Sequence, residues 1–318
     1  MNLLLDTNAW SYVAQEEALP ELLRVSVKRK IRLLIAPASV TEARAVKDPS
    51  RRKAVLAVMT DPRLTRLMPE TFLESQDIKE TLLAARPAWA NPKPDASDFL
   101  RNRHYWRRSK GGFWDMSRDE VEFHVTDESL RGDMEAALAR QEVREIRERF
   151  KDGSQSGVAK HLQQIILDAD PPIAGRGSVD YWRMSSAYQL RSELKIYASP
   201  YREWIDCHLD VHAMMADFDD FNRVWFCEVR PEQLQRTWLR ASMEYLQRWH
   251  KPTDGSPADS QLATHLVDAD YFVTADKNFA RCVEKIQSEA PFKSAKVLKI
   301  RGGAEGLKEL IEFCQSRA

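Results

Sequence analysis

Short apolar runs alternate with amphipathic stretches at both ends of the chain. Leu3-Leu4-Leu5 is apolar without a polar alternation, the pattern of a strand buried on both faces. Ala9 to Lys30 carries Leu19, Leu22, Leu23 and Val27 on one side and reads as an amphipathic helix. Ile31 to Ala36 is a second strand, stopped by Pro37. Ser39-Val40-Thr41-Glu42 opens a further helix, and helices continue to about Met59. Arg63 to Pro69 reads as a short third strand, and Phe72 to Ala85 as a helix. The same alternation returns late. Ser256-Pro257-Ala258-Asp259 opens a helix running to Val267, and Tyr271 to Ala275 is a strand. Phe279 to Ser288 is helical, Ala295 to Ile300 is a last strand, and Ala304 to Cys314 is a closing helix.

The middle has another pattern. From Pro87 the chain turns proline-rich, then polar and aromatic. Beyond it, helices are expected over Glu128–Phe150, Val158–Asp168, Val179–Ala198, Tyr201–Val229 and Pro231–His250. The predicted organisation is α/β: a parallel-sheet core split between residues 1–86 and 252–318, with a mostly α-helical insertion at 87–251. Alternating strands and helices imply parallel strands sandwiched by helices.

Composition adds limits. The 318 residues are 43% hydrophobic, enough for a sizeable core. Lys plus Arg and Asp plus Glu each number 48, so net charge points to no polyanionic partner. No signal peptide and no membrane-length apolar run is visible, and Cys207, Cys227, Cys282 and Cys314 form no CxxC pair. The expectation is a cytoplasmic protein with reduced thiols.

Four acids stand at the strand–helix junctions. Asp6 comes directly after the first strand, and Glu42 lies early in the helix after the second. Asp259 lies in the first turn of a late helix, and Asp276 comes directly after the Tyr271 strand. Each has a plain alternative as a helix cap: Ser39 to Glu42 is spaced as a capping box, and Asp6 and Asp276 can cap the helices that begin beside them. Open α/β sheets place reactive groups beyond the carboxyl ends of their strands. Acids gathered at one such edge repel one another unless a cation intervenes. Oxygen ligands of this kind suit a hard divalent ion, Mg²⁺ or Mn²⁺.

Leu3-Leu4-Leu5-Asp6-Thr7-Asn8, Pro37-Ala38-Ser39-Val40-Thr41-Glu42, Asp259-Ser260-Gln261-Leu262-Ala263 and Tyr271-Phe272-Val273-Thr274-Ala275-Asp276-Lys277-Asn278-Phe279 resemble the successive motifs of PIN-domain nucleases. The resemblance covers about 1–86 and 252–318. It implies a PIN-like sheet in which Asp6, Glu42, Asp259 and Asp276 hold one or two Mg²⁺ or Mn²⁺ ions and hydrolyse a phosphodiester, usually in RNA. It gives Asn8 and Thr274 supporting places and makes Asp270 or Asn278 an outer ligand. The long insertion is a departure, since small toxins of the VapC type lack it. A toxin or host-defence role, with an inhibitor, antitoxin or defence-system partner, rests on this resemblance alone.

The insertion carries its own candidate. Arg101-Asn102-Arg103-His104-Tyr105-Trp106-Arg107-Arg108-Ser109-Lys110 has five basic residues and no acid, with two aromatics interleaved. Cations for phosphates and rings for bases suit single-stranded or looped RNA. The expected contacts are Arg101, Arg103, Trp106, Arg107, Arg108 and Lys110. The alternative is a solvated, partly packed loop. His208 and His212 have the spacing of a zinc pair on one helix, but Leu209 stands where a zinc protease has its glutamate. Trp182, Trp204, Trp225, Trp238 and Trp249 read as core anchors.

The sequence therefore points to a metal-dependent endoribonuclease whose insertion serves as substrate clamp, lid or homo-oligomer interface. The rivals are a structure-specific DNA nuclease and a regulatory or binding module whose acidic edge no longer catalyses.

Overall fold

The computed structural model describes residues 1–119, 161–196, 199–248 and 256–317. The first part runs β1 (Asn2–Leu5), α1 (Thr7–Gln15), α2 (Leu19–Lys28), β2 (Arg32–Ile35), α3 (Pro37–Arg44), α4 (Pro49–Met59), β3 (Thr65–Arg66) and α5 (Glu70–Ala85). The middle holds α6 (Ser97–Arg107), α7 (Phe113–Arg118), the hairpin of β4 (Ile166–Ile173) and β5 (Arg176–Asp180), α8 (Tyr181–Lys195), α9 (Pro200–Ile205), α10 (Val211–Ala216), α11 (Phe218–Arg223) and α12 (Gln235–Gln247). The last part is α13 (Ser256–Ala263), β6 (Tyr271–Thr274), α14 (Lys277–Glu289), β7 (Lys296–Lys299) and α15 (Gly303–Ser316).

Five strands form one sheet in the order β3-β2-β1-β6-β7, and every pair is parallel. β1 is central. It pairs Leu3 with Leu33 on one side and Leu4 with Phe272 on the other. Strands from both ends of the chain thus lie side by side. The lack of alternation in Leu3-Leu4-Leu5 reflects this position. Leu3 and Leu5 face a core with Trp10, Val55 and Leu310, while Leu4 faces the opposite core with Leu34, Phe272, Trp225 and Trp238.

The second of these cores crosses the expected boundaries. Trp182, Trp225 and Trp238 from the middle pack with Leu4, Ile78 and Phe272 from the two outer parts. Trp204 is also buried, and Trp249 lies outside the described residues. The middle segment therefore forms part of the layer covering one sheet face. Ionic contacts reinforce it. Arg240 of α12 is buried and bonds Glu74 of α5 at 2.8 Å, and the Tyr201 hydroxyl donates to the same carboxylate.

Several expected elements differ. Ala9 to Lys30 is two helices, because Glu17 turns to φ 50° and Pro20 restarts the chain in the first turn of α2. Val158–Asp168 keeps only a 3-10 turn at Leu162–Gln164 where described: Ile166 to Asp168 already lie in β4, and Val179 and Asp180 lie in β5. Pro171 and Pro172, which disfavour helix, sit within that ribbon. Tyr201–Val229 is broken into α9, α10 and α11, with a π-helical turn next at Val224–Glu228. Asp210 and Asp217 each cap a new start inside that span, at 2.9 and 3.0 Å. The Glu128–Phe150 helix lies outside the described residues. No helix among the described residues is long and apolar enough to cross a membrane.

Candidate functional site

The carboxyl ends of β1 and β6 place the first acids. Asp6 lies just past β1 at the N-cap of α1, and its Oδ1 accepts the Asn8 N–H at 2.6 Å. The Thr274 hydroxyl, at the end of β6, donates to Asp6 Oδ2. Thr274 Oγ1 also accepts the Asp276 N–H at 3.0 Å. Asp276 caps α14 and accepts the N–H groups of Asn278 and Phe279 at 2.7 and 3.0 Å. One threonine thereby links the acids of two adjacent strands.

Glu42 comes from α3, after β2. The expected capping box does not form. Pro37 is already the first helical residue and Ala36 the N-cap, so Ser39 lies inside the first turn. Its hydroxyl is buried with no partner among the described residues. Glu42 is thus not spent on a cap, and its Oε2 accepts the Thr7 hydroxyl at 2.5 Å. Asp259 comes from α13, where its Oδ2 accepts Gln247 Nε2 at 3.3 Å.

Electrostatics bind these four into one group. Burial raises the Asp6 carboxyl above its ordinary range, opposed by the Thr274 and Asn8 hydrogen bonds, and the Asp276 charge raises it further. Burial also raises Glu42; the Thr7 hydrogen bond opposes this, and the charges of Asp6 and Asp276 add to it. Asp259 is pushed up to about 8, first by burial and then by Glu42, Asp6 and Asp276. Several acids elsewhere in the fold are instead paired with arginine. Glu74 lies on Arg240, Asp268 on Arg236, and Asp220 and Glu228 on Arg86. None of the four clustered acids has a Lys or Arg partner among the described residues.

In ligand type, though not in spacing, carboxylate oxygens suit a hard divalent cation. Glu42 Oε1, Asp259 Oδ1 and Asp276 Oδ2 accept no hydrogen bond among the described residues. Among the described residues no three Asp, Glu, His or Cys side chains stand close enough together to hold a metal ion between them.

Asn8 and Asn278 sit in the first turns of α1 and α14, each giving its N–H to the neighbouring acid. Asp270 is elsewhere. It precedes β6 at the opposite end of the strand and accepts the Asn2 N–H at 2.8 Å, with Lys293 at 3.6 Å. A four-residue strand spans roughly 13 Å, so an outer-ligand role for Asp270 does not fit. Thr7 and Gln247 were not expected. Thr7 carried a faint signal in its place after Asp6. Gln247 carried none, since only tertiary packing brings α12 to α13.

The basic segment is largely α6, packed beside Phe72 in the first turn of α5 through Phe99 and Trp204. That turn comes after β3, at the same sheet edge as the acids. The side chains of the segment split in role. Trp106 is half-buried against Phe113 at 4.4 Å, so its ring is already engaged in packing and is not an open stacking platform. Arg108 lies over Tyr105 and donates to the Gly111 carbonyl; Arg103 lies over Phe99. Arg101 pairs with Asp98 at 2.6 Å. Arg107 and Lys110 are exposed and have no partner among the described residues. The histidine pair does not form a zinc site: His208 lies in a turn edge-on to Phe99 at 5.1 Å, and His212 belongs to the next helix, so they share no helix face.

Comparison of the chain with protein-family models, with curated proteins and with solved structures returns no match.

Proposed function

We propose that the protein is a metal-dependent endoribonuclease with a PIN-like core, hydrolysing phosphodiester bonds at the Asp6–Glu42–Asp259–Asp276 edge. One observation carries this reading: four acids from distant parts of the chain are coupled at one sheet edge without a basic partner among the described residues. The strand order and the junction motifs agree with it.

Asp6, Glu42, Asp259 and Asp276 would hold Mg²⁺ or Mn²⁺. When bound, such an ion would supply an activated water and offset charge on the phosphate. The chain's own residues set the geometry. Thr274 and the Asn8 N–H fix the Asp6 carboxylate, Thr7 fixes Glu42, and the α14 N-terminal amides fix Asp276. These bonds limit how far the three carboxyl groups can splay. Arg107 and Lys110, exposed on α6 and beside it, are cations suited to the backbone of an incoming single strand.

The test is side-by-side cleavage of labelled single-stranded RNA and flap DNA with Mg²⁺ or Mn²⁺, repeated with chelator. Metal-dependent cleavage of RNA is expected. Preference for the flap would favour a DNA nuclease. Lack of both cleavage and Mn²⁺ binding would leave a non-catalytic module.

A further inference from the structure

Arg236, Arg240 and Gln247 succeed one another at helical spacing along α12 and form one polar stripe. Arg236 bonds both Asp268 oxygens at 2.7 and 2.8 Å. Arg240 reaches Glu74 on α5, Gln189 on α8 and Glu244 on its own helix. Removing one member of such a buried pair leaves an uncompensated charge, so the stripe pins α12 in one place against its neighbours. At the end that meets the clustered acids, the stripe turns neutral. There Gln247 Nε2 donates to Asp259 Oδ2 at 3.3 Å, and Asp259 Oδ1 accepts nothing among the described residues.

We infer that Gln247 is a positioning residue for the acid cluster, its amide holding Asp259 so that Oδ1 stays free for a divalent cation. The inference rests on the proposed metal site. A neutral donor suits the task. An amide orients a carboxylate without neutralising it, whereas Lys or Arg would become an internal counterion and compete with the metal. The middle of the chain would then help build the site as well as cover the sheet.

Mn²⁺ titration calorimetry on the full chain tests this with wild type, Gln247→Met, Asp259→Asn, the double variant and Gln247→Lys. Gln247→Met keeps the side chain's length and removes the donor. It should weaken Mn²⁺ affinity about tenfold, as loss of a ligand-orienting partner does. Added to Asp259→Asn it should cost nothing more, because its target is already gone. Gln247→Lys should lose more affinity than Gln247→Met. Wild-type affinity in Gln247→Met overturns the inference while leaving the metal site standing. So does an equal loss with and without Asp259, which a merely structural role would give. A wild-type protein that takes no Mn²⁺ overturns the metal site itself, and the inference with it. If Gln247→Met does not fold, Gln247→Lys carries the same comparison, and wild-type affinity in it is equally fatal.

Discussion

Asp6 and Asp276 each serve as a helix N-cap and as members of the cluster. The two roles use different oxygens of Asp276: Oδ1 accepts the helix amides, and Oδ2 accepts nothing among the described residues. Their sites were legible because each comes directly after an apolar strand. Glu42 was legible from its position, but the capping box that also explained it is absent, because Pro37 starts the helix early. Asp6→Asn should abolish metal-dependent cleavage while the protein stays folded, measured by RNA cleavage beside circular dichroism. Full activity in that variant would remove the metal site from the account. Asp259 gives a pH prediction. Its folded-state value of about 8 lies above the ordinary 3.8, so the fold disfavours its ionisation. Its contribution to stability is complete below about pH 4 and is lost as pH rises through about 8. With chelator present, the melting temperature should fall across that window, and Asp259→Asn should flatten the fall. An equally steep profile in the variant would place the titration elsewhere.

Among the elements, β1, β2 and β6 were visible as apolar runs, because central parallel strands buried on both faces need them, whereas the edge strands β3 and β7 are polar or half-exposed and were read from the alternation with helices. The β4–β5 ribbon was not visible. It is mostly exposed, so Ile166 to Asp180 lacks both a buried run and a clean alternation. Element α6 was read from its charges and interleaved aromatics, which cannot show that Trp106, Arg103 and Arg108 lie against Phe113, Phe99 and Tyr105. The prediction for this element therefore divides. Arg107→Ala with Lys110→Ala should weaken single-stranded RNA binding and lower the salt slope by roughly 0.7 per lost phosphate contact. Fluorescence anisotropy at several salt concentrations, in the Asp6→Asn background, measures both. An unchanged slope would make the segment a bystander. Trp106→Ala should instead destabilise the fold, on the order of 2 kcal/mol, by opening a gap against Phe113. Chemical denaturation would show it.

At the scale of the molecule, the outer and middle parts share one core, through Leu4 and Phe272 on the sheet and Trp225 and Trp238 beyond it. The buried Glu74–Arg240 pair joins them again. Glu74→Gln should cost up to about 3–5 kcal/mol by removing the buried carboxylate nearest Arg240 and leaving it only Glu244, at 3.3 Å, as a counter-charge. Thermal unfolding should show this loss without a second transition, since both parts melt together. A separate early transition of the middle would contradict the shared core. The same architecture sets an order of events during synthesis. Asp6 receives its bond from Thr274, 268 residues further along the chain, and β1 has β6 as a neighbour. A ribosome releases Asp6 and Glu42 long before Asp259, Thr274 and Asp276. The cluster cannot close on a growing chain until Asp259, Thr274 and Asp276 have emerged. A translation product that stops short of α13 carries two of the four acids and lacks the strand beside them. If the site cuts RNA, a chain at that stage is harmless to its own message.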